Sequence, residues 1–177
     1  SCIRTPSTLR FRTTGFLPME RSAPGRELTA IISTADGVET GAAKAALVSI
    51  EHDEYGAGDP DRMHARLFAD MMDALGLSTT YGHYLDVVPA ATLAEVNFMS
   101  LCGLHRRLRG ALVGQFAAVK LTSSPGSDRL VRAMRRMRCP ERAIAFYDEH
   151  VGADAVHEQV VRTDVVGWGS PQTAAAL

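Results

Sequence analysis

The sequence is poor in the features that mark several large classes of protein. No apolar run approaches the roughly 20 residues that a membrane-spanning helix needs. Basic and acidic side chains nearly balance at a net charge of −1, so no electrostatic argument supports binding to nucleic acid or to a membrane surface. The cysteines are few, odd in number and without motif spacing: Cys2, Cys102 and Cys139. This pattern disfavours a disulfide framework and favours a reducing, cytoplasmic location.

The short motifs of several enzyme classes are also absent from the sequence. There is no glycine-rich phosphate loop, no nucleophile elbow and no CxxC pair. What remains is a chain of 177 residues with an ordinary apolar content of 46%. That length is enough for one domain with a substantial hydrophobic core.

Helical signals dominate the sequence from Ala42 onward. We expect an irregular N-terminal segment over 1–41, a helical domain over 42–166 and a flexible tail over 167–177. Asp59 is a suitable N-cap, Gly76 a suitable C-terminal stop, and Thr92 to Glu95 reads as a capping box. The predicted helices span residues 42–55, 60–75, 92–121, 128–138 and 140–166, with a break at 123–127. The sum is an all-α bundle of about five or six helices.

The last predicted helix carries a candidate metal-binding triplet. His150, Asp154 and His157 are spaced four and then three residues apart, so their side chains project from one helix face within two turns. Imidazole and carboxylate groups are the ligands that hold iron, manganese or zinc. The alternative is a polar helix face that happens to carry two histidines.

Two further residues extend this set. Glu54 continues the apolar stripe of the first helix, and a carboxylate that points inward needs a partner. His64 lies on the apolar face of the second helix, three residues before Leu67. A packed core histidine is the alternative interpretation of His64. Carboxylates and histidines on facing helices of a bundle are how dinuclear iron sites are built.

Several segments of the chain resemble a known family. Residues 53–58 read DEYGAG and residues 64–68 read HARLF, which is similar to the DEYG-x-G and H-x-x-LF motifs of the iron-containing redox enzymes with a haem-oxygenase-like fold, also called haem-oxygenase-like diiron oxidases. The likeness continues to residues 146–159 and covers about residues 42–165. It implies a haem-oxygenase-like helical bundle whose iron pair activates O₂ against a small organic substrate. By position it places these residues on family iron ligands: Glu54, His64, His150, Asp154 and His157.

The chain departs from the family pattern at two ligand positions. Where the family has a stretch like GHLAAFE, this chain reads GQFAAVK over 114–120, so Lys120 replaces a metal-binding carboxylate and Gln115 a histidine. An earlier ligand glutamate corresponds to Leu28, beside Glu27. The family chain is usually longer at both ends, so the resemblance implies a bundle that lacks terminal helices. Lys120 would add positive charge to a pocket that must offset the charge of iron.

Three hypotheses follow, and none assigns a catalytic residue. The leading one is an iron-dependent oxidase or oxygenase with one or two non-haem iron ions, which acts on a small molecule and O₂. Its activity is in question because Lys120 replaces a carboxylate. The second is a non-catalytic helical interaction module or an inactive truncated relative, which packs against a partner or forms a homodimer. The third keeps the fold but lets one histidine bind haem.

Overall fold

The computed structural model describes residues 41–166, and they form a bundle of five α-helices. The all-α prediction is confirmed. The predicted irregular N-terminal segment, Gly41 excepted, and the predicted tail lie outside the described residues. No described helix has the length and hydrophobicity needed to cross a membrane. The helices are α1 (Gly41–Glu54), α2 (His64–Ala74), α3 (Ala90–Leu104), α4 (Arg109–Arg136) and α5 (Glu141–Val160), which continues into one turn of π-helix (Val161–Val165).

The hydrophobic core is divided into two clusters, and the buried polar residues lie between them along α4 and α5. On α4, Phe116 belongs to the first cluster and Val131 to the second, and the buried Lys120 lies between them in sequence. On α5, Phe146 belongs to the second cluster, while Val161 just beyond the helix belongs to the first. The His150 triplet lies between these two residues. A polar layer is therefore enclosed by apolar side chains at both ends.

The connection between α1 and α2 is tight, and it sets the distance between Glu54 and His64. Gly56 adopts a left-handed conformation with φ of +71°, and a Cβ atom there would lie 2.8 Å from the backbone of Arg62 and Met63. Only glycine permits this approach. The side chain of Asp59 accepts a hydrogen bond from the Asp61 amide at 3.0 Å, so the predicted cap is present. It caps a short 3₁₀ turn (Pro60–Arg62), and α2 begins later, at His64.

The prediction of one continuous helix over 92–121 is wrong, because the chain forms two helices that meet at a bend near His105. The backbone is extended at His105, with φ of −122° and ψ of 102°, and a 3₁₀ turn (Arg106–Leu108) leads into α4. Cys102 and Leu112 both belong to the first core cluster. A continuous helix would separate them by about 15 Å along its axis, so the bend lets both reach one cluster. The predicted capping box is also wrong, because α3 begins at Ala90 after Pro89.

The predicted break at 123–127 is also wrong, because α4 continues through it with Pro125 inside the helix. Pro125 has no N–H to donate, so the helix lacks one backbone hydrogen bond there. Packing against α5 outweighs this loss. Ser123, Gly126 and Ser127 are buried, and the Ser124 hydroxyl donates a hydrogen bond to the Val151 carbonyl of α5 at 3.1 Å.

Two smaller features concern Gly76 and Cys102. Gly76 has a positive φ of 73° and follows the end of α2, as predicted for a C-terminal stop. Cys102 is buried and free.

Candidate metal centre

The structure brings all five predicted ligand residues together in the polar layer. Each is at most 3% exposed. They form two groups that share Glu54, and within each group one ligand atom from each residue lies within 4.8 Å of the others. The first group is Glu54, His64 and His150, and the second is Glu54, Asp154 and His157. Their role as metal ligands stays a prediction.

Helix geometry explains why these side chains converge. Glu54 is the last residue of α1, four residues after the buried Ile50, so it continues the face that packs into the bundle. His64 is the first residue of α2 and follows the tight Gly56 connection. The triplet on α5 occupies a single buried face, as its spacing predicted. Three separate helices therefore supply ligands to one point.

The first group has the geometry of side chains that face a common centre. Glu54 Oε2 and His64 Nδ1 are buried and 2.8 Å apart. The centroids of the His64 and His150 rings are 4.3 Å apart. His150 Nδ1 donates to the Phe146 carbonyl at 2.7 Å, which leaves the lone pair on Nε2. That Nε2 atom is buried and has no hydrogen-bond partner.

The surroundings of His150 favour its neutral form. Burial lowers the pKa of His150, and the nearby His64 lowers it further, so that together they outweigh the opposing effect of Asp154 and Glu54. An imidazole must be neutral to bind a metal ion. A histidine whose second nitrogen donates to a backbone carbonyl is the usual arrangement at metal sites. His150 is therefore prepared to act as a ligand through Nε2.

Lys120 joins the second group. Sequence analysis placed it in the pocket but did not predict its contacts with the ligands. The Lys120 ammonium donates to Glu54 Oε1 at 2.7 Å and to Asp154 Oδ1 at 2.8 Å. Its side chain is 1% exposed, so the ammonium is buried with the two carboxylates. His157 Nδ1 lies 3.2 Å from the same Asp154 oxygen. Asp154 Oδ1 is thus shared by a lysine and a histidine.

The charges of this group support one another. Burial alone would raise the pKa of Glu54 and Asp154, but Lys120 and the neighbouring histidines outweigh it and hold both pKa values well below the usual range. Burial alone would lower the pKa of Lys120, and the two carboxylates outweigh it and raise that pKa. At neutral pH the group therefore contains an ammonium ion between two carboxylates.

Sequence analysis missed one participant, Asp53. Its Oδ2 lies 3.1 Å from His157 Nε2, and its side chain is 45% exposed. It stands beside Glu54 in the quoted DEYGAG motif, so a second carboxylate next to a ligand was the available signal.

The other departures from the family pattern are Gln115 and Leu28. Gln115, which stands where the family has a histidine, has a buried Oε1 without a hydrogen-bond partner. Glu27 and Leu28 lie outside the described residues.

Comparison with known proteins identifies the family. A family model described as iron-containing redox enzyme matches residues 22–168. This match spans most of the chain, includes all five candidate ligands and agrees with the resemblance on which the haem-oxygenase-like fold was predicted. Among curated proteins, no sequence matches this chain. The chain therefore belongs to the iron-containing redox enzyme family.

Proposed function

We propose that this protein is a non-haem iron oxidase or oxygenase, in which Glu54, His64 and His150 hold iron and O₂ reacts with a small organic substrate. One observation carries the proposal. The Nε2 lone pair of His150 is buried without a partner, and ligand atoms of Glu54 and His64 lie within 4.8 Å. A buried acceptor left unpaired costs free energy unless something binds it.

The donor set fits ferrous iron. Two histidines and one carboxylate with open positions are the ligands of many non-haem Fe(II) oxygenases. Iron bound there would supply the electrons and the site for O₂ activation, which protein side chains alone do not provide. The separation of these ligand atoms suits an ion, and His64 and His150 lie against each other, which favours a non-haem site over a single axial bond to haem.

The chain itself would orient the ligands and limit the access of water. The His150 ring lies against Phe146 at a centroid distance of 4.4 Å, and Phe146 lies against Phe68 at 5.1 Å. These aromatic contacts, together with the Nδ1 hydrogen bond, fix the plane of the imidazole. The low exposure of Glu54 and His64 keeps bulk water from the first group.

A surface cleft that borders Asp53 offers room for a small substrate. Its volume is about 350 Å³, and it is lined by Asp53, Gly152, Ala153 and Val156 among others. Asp53 contacts both this cleft and His157. A cleft of this size suits a small molecule. None of the five candidate ligands lines the cleft, so Asp53 is its link to the buried site.

Anaerobic loading with Fe(II), followed by desalting and addition of O₂, tests the proposal. The wild type should retain iron, show no haem absorption band and consume O₂ in an oxygen electrode. His150→Ala should lose most of the retained iron, whereas His83→Ala, at an exposed position between α2 and α3, should behave as the wild type. Circular dichroism checks that each variant is folded. A wild type that retains no iron, or an unaffected His150→Ala variant, would contradict the proposal.

A further inference from the structure

We propose that the Lys120 ammonium takes the place of a second metal ion, so that this chain binds one iron, at Glu54, His64 and His150. The inference rests on the proposed function for the identity of that site. It adds the metal stoichiometry and gives Asp154 and His157 a different role from the one predicted from sequence. Those two residues become positioning residues for Lys120.

The first observation is that Lys120 is hydrogen-bonded to both carboxylates of the second group. Glu54 directs its two oxygens to different neighbours: Oε2 lies beside His64, and Oε1 accepts from Lys120 at 2.7 Å. Asp154 Oδ1 accepts from the same ammonium at 2.8 Å. Both distances are those of charge-assisted hydrogen bonds. Lys120 therefore occupies one lone pair on each of these two oxygens, and Asp154 Oδ2 is left without a partner. The ammonium charge lies between the two carboxylates that a second cation would have to bridge.

The second observation is that both ring nitrogens of His157 have carboxylate partners. Its Nδ1 lies 3.2 Å from Asp154 Oδ1, and its Nε2 lies 3.1 Å from Asp53 Oδ2. Both ring nitrogens thus face carboxylate oxygens. This contrasts with His150, which has one nitrogen on a backbone carbonyl and the other unpartnered. Of the two histidines on α5, only His150 has a nitrogen without a hydrogen-bond partner.

The third observation is the charge of the buried cluster formed by Glu54, Asp154 and Lys120. Glu54 and Asp154 contribute two negative charges and Lys120 one positive charge. With one ferrous ion the cluster would carry one net positive charge, which the half-exposed Asp53 beside His157 can offset. A second ferrous ion would raise the net charge by two more units inside a buried site, next to a fixed ammonium. The cluster is thus suited to a single divalent ion.

Metal stoichiometry tests the inference without an activity assay. Wild type, Lys120→Glu and Lys120→Met are loaded anaerobically with Fe(II) and desalted, and iron and protein are quantified by elemental and amino-acid analysis. We expect one iron per wild-type chain and about a twofold higher iron content in Lys120→Glu, because that substitution removes the ammonium and adds a carboxylate. Lys120→Met removes the ammonium without adding a ligand and should bind no less iron than the wild type.

The outcomes separate the inference from the proposed function. Two irons in the wild type, or an unchanged iron content in a folded Lys120→Glu variant, would overturn the inference and leave the iron site standing. If the wild type binds no iron, the proposed function is overturned, and so is the inference of one iron per chain. If Lys120→Glu does not fold, the end point of a Co(II) titration of the wild type, followed by visible absorption, decides: one equivalent supports the inference and two overturn it.

Discussion

Replacing Lys120 by Met should destabilise the metal-free protein strongly. The substitution keeps a side chain of similar length and removes the charge, so Glu54 and Asp154 remain buried without their cation. Removing one partner of a buried ion pair costs about 3–5 kcal/mol. Because Lys120 contacts two carboxylates, at 2.7 and 2.8 Å, we expect a loss of unfolding free energy towards the upper end of that range.

The direction of the pH dependence provides a second check. In the wild type the pKa values of Glu54 and Asp154 are lowered, so their contribution to stability is present above about pH 4 and is lost as the pH falls through the lowered values. In Lys120→Met, the effect of burial is no longer opposed by the ammonium, and the pKa of each carboxyl group should rise. The loss of unfolding free energy in Lys120→Met should therefore be largest near neutral pH and should become smaller as the pH falls towards 5.

Urea denaturation of the metal-free proteins at pH 7.5 and at pH 5 measures both effects. Arg66→Met is the control, because Arg66 also forms an ion pair, with Asp70 at 3.1 Å, but its side chain is 57% exposed. An exposed pair of this kind is worth about 0–1 kcal/mol. A Lys120→Met protein as stable as the wild type at pH 7.5, or a deficit that grows at pH 5, would refute the reasoning.

Three further predictions concern the elements that support the site. Gly56→Ala should lower the thermal unfolding midpoint more than Gly58→Ala does, because both residues have positive φ but only at Gly56 would a Cβ contact backbone atoms at 2.8 Å; equal losses would contradict the tight connection. Gly152→Ala should raise the unfolding free energy by about 0.5–1 kcal/mol, since a Cβ there meets nothing within 4 Å, and a loss of stability in urea denaturation would show that this face of α5 is closed. Ser124→Ala should cost about 0.5–1.5 kcal/mol by removing the hydrogen bond to Val151, and no change in the urea midpoint would mean that this bond does not offset Pro125.

Local pattern was enough to predict the helices that carry ligands. The stripe ending in Glu54 and the spacing of His150, Asp154 and His157 each repeat with the helical period, so one face is defined without tertiary information. Asp59 predicted the cap of the turn before α2, and Gly76 predicted the end of α2. These features depend on residues within a few positions of one another, which is why sequence was sufficient.

The errors occur where distant residues decide the backbone. Pro125 and its small neighbours have the composition of a loop, but packing on α5 keeps α4 helical through them. Gly103 lies two residues before His105, where the chain bends so that α3 and α4 share a core cluster. A single glycine within a helical pattern permits a bend but does not specify one. The role of Lys120 has the same origin, because its two carboxylate partners come from α1 and α5.

The most direct test of the single-metal centre is anomalous diffraction at the iron edge from crystals of the iron-loaded wild type. We predict one anomalous peak per chain, bounded by Glu54, His64 and His150, with the Lys120 ammonium still bound to Glu54 and Asp154. Two peaks, or one peak between Asp154 and His157 with Lys120 displaced, would contradict this account.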